Sequence, residues 1–125
     1  MYTIAIVGSR EYPRLSLVRQ YVNELIWGKG LTIVSGGAIG VDAAAIETAR
    51  LRGFPTIEIK PSWGRHGKSA GFIRNREIVA CADRVVAFWD GKSRGTKHTI
   101  EITKQAGKWL EVFDLHGHRE VYNQP

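Results

Sequence analysis

The chain has 125 residues, 43% of them hydrophobic, which suits one domain with a real core rather than two domains of ordinary size. Its 18 Lys and Arg outnumber 12 Asp and Glu, and the formal charge of +6 favours an anionic partner, although a merely solvated basic surface explains it equally well. The single cysteine, Cys81, excludes an internal disulfide and a cysteine-based zinc site. No apolar run approaches the roughly 20 residues that cross a bilayer. We therefore expect a cytoplasmic protein, and we assign no membrane segment, metal or cofactor.

Short apolar runs alternate with segments of helical spacing along the chain. The predicted strands cover residues 3–7, 31–34, 55–59, 84–89 and 109–113. The predicted helices cover about 15–27, 41–52, 69–82 and 96–106. Strands that alternate with such helices imply right-handed crossovers and a parallel sheet covered on both faces. We therefore predict an α/β, Rossmann-like, doubly wound three-layer sandwich with a mainly parallel five-stranded sheet in residues 1–115, followed by a peripheral polar tail in residues 116–125.

Glycine and polar residues follow three of the predicted strands, at the sheet edge where doubly wound folds bind ligands. These segments are residues 8–10, 35–42 and 90–96. Glycine lets backbone N–H groups approach an anion, and a following helix directs its positive end at the same point. Each glycine also has a purely structural explanation in a tight turn, but three such loops at one edge favour a phosphate-binding pocket. The candidate ligand-binding residues are Gly8, Ser9, Arg10, Ser35, Gly36, Gly37, Gly40, Asp42, Arg74, Asn75, Asp90, Gly95 and Thr96.

Several of these side chains have a chemical reason to bind a nucleotide. Arg74 and Asn75 interrupt an apolar helical pattern, and arginine can hold a phosphate through two parallel hydrogen bonds. Asp42 either caps the second helix, or orients the glycine turn, or receives a ribose hydroxyl. Trp63 and Trp89 are candidates for stacking on a base, with ordinary packing as the alternative.

Two segments are similar to the end of a P-loop but lack its first glycine. Gly67 and Gly91 are each followed by Lys and Ser, yet Ser62 and Val86 stand where the earlier glycine is required. Neither segment is therefore a Walker motif. His66 and His98 show no partner pattern for nucleophilic catalysis or metal binding, and we assign them no role.

Four segments in order resemble one known group of proteins. Residues 7–10, 34–42, 70–77 and 82–96 look like the motifs of the YspA-like branch of the SLOG superfamily. The superfamily also contains the DNA-processing protein DprA and the LOG enzymes, which cleave the N-glycosidic bond of nucleoside monophosphates. The resemblance, which extends from about residue 2 to residue 113, implies a Rossmann-like fold that binds a nucleotide or a nucleotide-like ligand.

The catalytic signature of the LOG enzymes is only partly present. Gly95 and Thr96 match its Gly-Thr pair, and Arg74 matches its assisting arginine, but Thr99 stands where the signature has glutamate. The nearest carboxylate, Glu101, lies about 200° further round the helix. If the chain is an enzyme, Asp42 or Glu101 is the candidate catalytic group.

Three functions follow as hypotheses. The first is binding or sensing of a nucleotide or nucleotide-derived ligand through the glycine-rich turns. The second is hydrolysis of the N-glycosidic bond of a nucleoside monophosphate, as in the LOG enzymes. The third is single-stranded DNA binding, as in DprA, which the charge of +6 favours and which would use a basic groove with stacking aromatics. A homo-oligomer is left open.

Overall fold

The computed structural model describes residues 1–125, which form six strands and five helices. The strands are β1 (Tyr2–Gly8), β2 (Leu31–Ser35), β3 (Thr56–Glu58), β4 (Arg84–Phe88), β5 (Trp109–Phe113) and β6 (Arg119–Tyr122). The helices are α1 (Leu15–Glu24), α2 (Val41–Leu51), the single turn α3 (Trp63–His66), α4 (Ala70–Cys81) and α5 (Arg94–Gln105), with a 3-10 turn at Gly67–Ser69. None of these helices has the length and apolar character that crossing a membrane requires.

The strands form one sheet in the order β3-β2-β1-β4-β5-β6. β1 to β5 are parallel, and β6 runs antiparallel to β5. The strand order reverses between β1 and β4, because the chain moves outward from β1 to β3 and then returns to the other side of β1. This arrangement confirms the predicted Rossmann-like α/β fold.

Helices cover both faces of the sheet because the central strands are apolar on both sides. Ile4 and Ile6 of β1 pack in one core cluster with Val18 and Val22 of α1 and with the alanine-rich face of α2. The intervening residues of β1 pack in a second cluster with α4 and α5. The sheet therefore lies between two layers of helices, with one core cluster on each of its faces.

Two basic side chains cap the carboxyl ends of helices. Arg52 donates from Nη1 to the carbonyl oxygens of Val22, at 2.8 Å, and Leu25, at 2.6 Å, which lie at the end of α1. Lys108 donates from Nζ to the carbonyl of Val79 at the end of α4, at 2.7 Å. Both cations therefore lie at the negative carboxyl ends of helices, where they complement the carbonyl groups of the last turn.

The predicted count of five strands is wrong, because residues 119–122 of the predicted polar tail form β6. Glu111 of β5 is 2% exposed, and a buried carboxylate needs a cation or hydrogen-bond donors. It pairs with Arg119 of β6 at 2.7 Å and with Arg84 of β4 at 3.6 Å, and it accepts from the hydroxyl of Tyr21 at 2.6 Å. Backbone pairing with β5, this charged pair and the packing of Tyr122 together hold a strand whose own residues are mostly exposed and lack apolar alternation.

Candidate functional site

A cleft of about 890 Å³ opens at the carboxyl ends of the parallel strands. It lies where the strand order reverses, which is the usual ligand position in this fold. Loops after β1, β2, β3 and β4 form its walls together with α4 and the start of α5. Its cations are Arg10, Lys60, Lys68, Arg74 and Lys92, and its carboxylates are Glu11, Asp42 and Asp90. The excess of positive charge favours an anionic ligand.

The glycine turn between β2 and α2 forms one wall of the cleft. Gly37 and Gly40 have φ angles of +74° and +81°, which side chains other than glycine rarely adopt. A Cβ on Gly40 would lie 2.4 Å from the carbonyl oxygen of Arg10, so the loop after β1 rests directly on the start of α2. A Cβ on Gly36 would lie 2.4 Å from Nη1 of Arg74. The turn therefore brings Arg10 and Arg74 close to the same backbone.

Arg74 projects from α4 toward the glycine turn and is half-buried. It donates from Nη1 to the carbonyl of Gly36 at 2.7 Å and from Nε to Oδ1 of Asn75 at 3.0 Å, while its Nη2 has no hydrogen-bond partner in the chain. Burial lowers the pKa of Arg74; Asp42 raises it, and the like charge of Arg10 lowers it. Nη2 is thus a free donor in a cleft that Arg10 also lines, which suits an anionic ligand.

Asp42, in the first turn of α2, is 4% exposed. Its Oδ2 accepts from the backbone N–H of Ala38 at 3.2 Å, whereas Oδ1 is buried without a hydrogen-bond partner. Burial raises the pKa of Asp42 to about 6, against the opposing effects of the Ala38 N–H and Arg74. The carboxyl therefore orients the glycine turn, and its buried Oδ1 is not exposed to the cleft.

Asn75 and His98 join α4 to the start of α5. Asn75 donates from Nδ2 to the carbonyl of Gly95 at 3.2 Å and lies 3.2 Å from Nδ1 of His98. Burial, and next the charge of Arg76, lower the pKa of His98, so a neutral ring accepts this bond at pH 7. Thr96 donates its N–H to Oγ of Ser93, which caps α5. Asn75 is thus committed to holding the two helices together.

Three other predicted residues shape the loops. Oγ of Ser9 accepts from the N–H of Asp90 at 3.1 Å, and the Asp90 carboxylate accepts from the N–H groups of Lys92 and Ser93, both at 2.8 Å. Ser35 is buried, donates to the carbonyl of Ile6 at 2.6 Å and does not line the cleft. These side chains have protein partners already.

Gly8 is held in place by packing. A Cβ there would lie 2.5 Å from the carbonyl oxygen of Phe88 and 2.7 Å from Cβ of Val41. Only glycine lets β1, β4 and α2 approach this closely.

The two tryptophan candidates occupy different positions. Trp63 is 57% exposed and lines the cleft, while Trp89 does not line it and donates from Nε1 to the carbonyl of Ser93 at 3.0 Å. The candidate acid Glu101 lies on the exposed side of α5, pairs with Lys97 at 3.9 Å and does not line the cleft. No group of His, Cys, Asp and Glu side chains is placed to hold a metal ion.

Several cleft residues with chemistry suited to an anion or a base were missing from the sequence-based candidates, among them Lys60, Lys68, Phe72 and Lys92. Lys60 follows β3 at the same sheet edge, a position that could have identified it. Phe72 is 46% exposed and stacks on His98, with ring centroids 4.2 Å apart. Phe72 is one of several apolar residues in its helix, so the sequence offered no signal that it faces the cleft.

Comparison with known proteins shows which family the chain is similar to. Residues 1–63 match the model of the family described as DNA recombination-mediator protein A. The Gene 61 protein of Mycobacterium phage D29 is 44% identical over 115 residues, which cover 86% of this chain and 92% of the phage protein. The resemblance to the DprA side of the predicted superfamily is thereby confirmed, while the narrower YspA-like assignment stays a prediction.

Two solved structures share the fold. DNA processing protein A from Helicobacter pylori, whose structure describes a single-stranded DNA binding mode, has a TM-score of 0.64 and 25% identity over 89% of this chain and 64% of its own. DprA from Streptococcus pneumoniae has a TM-score of 0.67 and 24% identity over 91% of this chain and 50% of its own. The chain thus spans about half to two thirds of these proteins. By sequence and fold, this chain belongs to the DNA recombination-mediator protein A family.

Proposed function

We propose that the chain binds single-stranded DNA in the cleft at the carboxyl ends of its parallel strands. The observation that carries the proposal is that Arg74, whose Nη2 lacks a partner in the chain, lines the cleft beside the glycine turn together with the exposed side chain of Arg10. Positive side chains that line one cleft are stabilised by an anion bound there. A phosphate of the DNA backbone supplies that anion.

The remaining walls of the cleft suit a strand rather than an isolated phosphate. Lys60, Lys68 and Lys92 extend the positive charge away from the glycine turn, and Trp63 and Phe72 offer exposed aromatic faces. Basic grooves with stacking aromatics bind single strands with little sequence preference. The single-stranded DNA binding of the Helicobacter pylori relative supports the same class of ligand.

A nucleotide or nucleotide-derived ligand is the second candidate, because Gly36, Gly37 and Asp42 of the turn before and at the start of α2 all line the cleft. A glycine turn at a helix N-terminus suits the phosphate of such a ligand. Glycosidic-bond hydrolysis would additionally need a carboxyl at the bound ribose, for which Asp42 is the candidate in the cleft. Stabilisation by nucleoside monophosphates in a thermal-shift screen would support binding, and release of free base would support hydrolysis.

Arg74→Ala tests the phosphate contact. We expect it to weaken binding of a labelled oligothymidylate by about tenfold and to reduce the slope of log affinity against log salt by about 0.7, because one phosphate contact is lost. Fluorescence anisotropy across a salt series measures both quantities. Arg76→Ala removes the same charge from an exposed position on the same helix outside the cleft, and it serves as the matched control. Equal effects of the two substitutions would sink the site assignment.

Trp63→Ala tests the stacking surface. We expect about a tenfold loss of oligothymidylate affinity with an unchanged salt slope, since stacking releases no counterions. Leu51→Ala, which shortens an exposed apolar side chain outside the cleft, is the control and should leave affinity unaltered. A changed salt slope in Trp63→Ala would show that the tryptophan acts through the neighbouring charges instead.

A further inference from the structure

The loop that carries Arg10, residues 9–14, is fastened to the fold at its beginning. The N–H of Ser9 donates to the carbonyl of Phe88 at 3.0 Å, and the N–H of Tyr12 donates to the carbonyl of Ser9 at 3.2 Å. The Arg10 carbonyl rests against Gly40, as described above. The side chain of Arg10 is exposed in the cleft, so its position depends on this backbone.

The second half of the loop is bound to the turn between β5 and β6, residues 114–118. Tyr12 is 3% exposed, and its hydroxyl donates to the carbonyl of Asp114 at 2.5 Å. Arg14 donates from Nε to the carbonyl of Leu115 at 2.9 Å. Neither Tyr12 nor Arg14 lines the cleft. Their polar groups are directed at the turn instead.

The β5–β6 turn is itself well fixed. The Asp114 carboxylate accepts from the N–H groups of His116 and His118 at 2.8 and 2.9 Å. Gly117 has a φ of +80°, and a Cβ there would lie 2.8 Å from Cδ1 of Leu17 in α1. The turn therefore packs on the start of α1 and offers two ordered carbonyl groups to the loop.

We infer that the β5–β6 turn, through Tyr12 and Arg14, positions Arg10 for the anion bound in the cleft. This inference rests on the proposed DNA binding. Tyr12 and Arg14 are positioning residues, because they act through the backbone of the loop and do not touch the ligand. An arginine whose backbone is already held loses less freedom when it binds a phosphate, and this raises affinity.

Tyr12→Phe tests the inference, because it removes one hydroxyl and keeps the buried ring. We expect about a fivefold loss of oligothymidylate affinity, the usual size of one lost neutral hydrogen bond. The salt slope should fall toward that of Arg10→Ala. In the Arg10→Ala background, Tyr12→Phe should have no further effect, since the two changes act through one contact. Tyr122→Phe is the matched control, because its hydroxyl on β6 bonds to Glu120 and not to the loop.

Amide hydrogen exchange of residues 10–14 in the free protein gives a readout that does not involve DNA. We expect faster exchange in Tyr12→Phe and unchanged exchange in Tyr122→Phe. Unchanged exchange in Tyr12→Phe, or losses that add fully in the double variant, would overturn the inference. If the unaltered protein retains no oligonucleotide, the proposed function fails, and the exchange result alone then decides whether the turn holds the loop.

Discussion

We expect Arg119→Leu to lower the free energy of unfolding by about 2 kcal/mol, because it removes the nearest cation from the buried carboxylate of Glu111. The effect is smaller than for a fully enclosed pair, since Arg119 is half-exposed while Arg84 and Tyr21 keep their contacts with Glu111. Urea denaturation followed by tryptophan fluorescence measures the change. Lys97→Met, which breaks the exposed pair with Glu101, should change stability by less than about 0.5 kcal/mol.

A second substitution separates the lost charge pair from lost packing. Glu111→Gln breaks the same pair, so the double variant Arg119→Leu/Glu111→Gln should lose less stability than the sum of the two single losses. A double variant that is as unstable as the sum of its single changes would contradict this explanation. Retention of β6 without Arg119, seen as unchanged amide protection in residues 119–122, would contradict the role of this pair in forming the strand.

The largest pH effect is expected at Asp42. An exposed aspartate titrates near 3.8, whereas burial raises the pKa of Asp42 to about 6. Between these two values the folded protein keeps a proton that the unfolded chain has already released. The free energy of unfolding therefore falls as pH rises from about 4 to about 6, by about 3 kcal/mol for this group, and the penalty stays in full above that window.

Asp42→Asn removes this titration and keeps an oxygen for the N–H of Ala38. The difference in unfolding free energy between Asp42→Asn and the unaltered protein should shift by about 3 kcal/mol in favour of the variant between pH 4 and pH 7. Glu47→Gln, an exposed carboxyl on the same helix, is the control, and its difference should stay within about 0.5 kcal/mol. A constant difference for Asp42→Asn across this range would mean that the carboxyl is solvated in the folded protein.

The sequence was sufficient for the Rossmann-like core because its signals there are local. Each of the five parallel strands is a short apolar run, and each main helix repeats its apolar residues at helical spacing. β6 lacks such a signal, because backbone pairing with β5, the Arg119–Glu111 pair and the packing of Tyr122 hold it. None of these contacts produces a periodic apolar pattern in the sequence.

The position of the cleft was predictable from the sequence, but the roles of its side chains were not. The loops after β1, β2 and β4 do meet at one edge, because parallel strands end on the same side of a sheet. What each side chain does there was not predictable. Ser9, Ser35 and Asp90 have the chemistry of ligand contacts, yet they bond to neighbouring backbone, while Phe72 and Lys60 line the cleft without a recognisable motif. The distances between side chains in the folded protein decide between these roles, and the amino-acid sequence does not show those distances directly.

Because Arg52 and Lys108 cap two helices, the net charge of the chain overstates how many basic side chains are free to bind a ligand. These cations count toward the net charge, but their donors are occupied by carbonyl oxygens, and Arg84 and Arg119 are similarly engaged by Glu111. A homologue that exchanged such residues for neutral ones would move toward a neutral isoelectric point and still keep the same free donors in the cleft. For the proposed DNA binding, the side chains around the cleft are therefore a better guide to affinity than the overall charge.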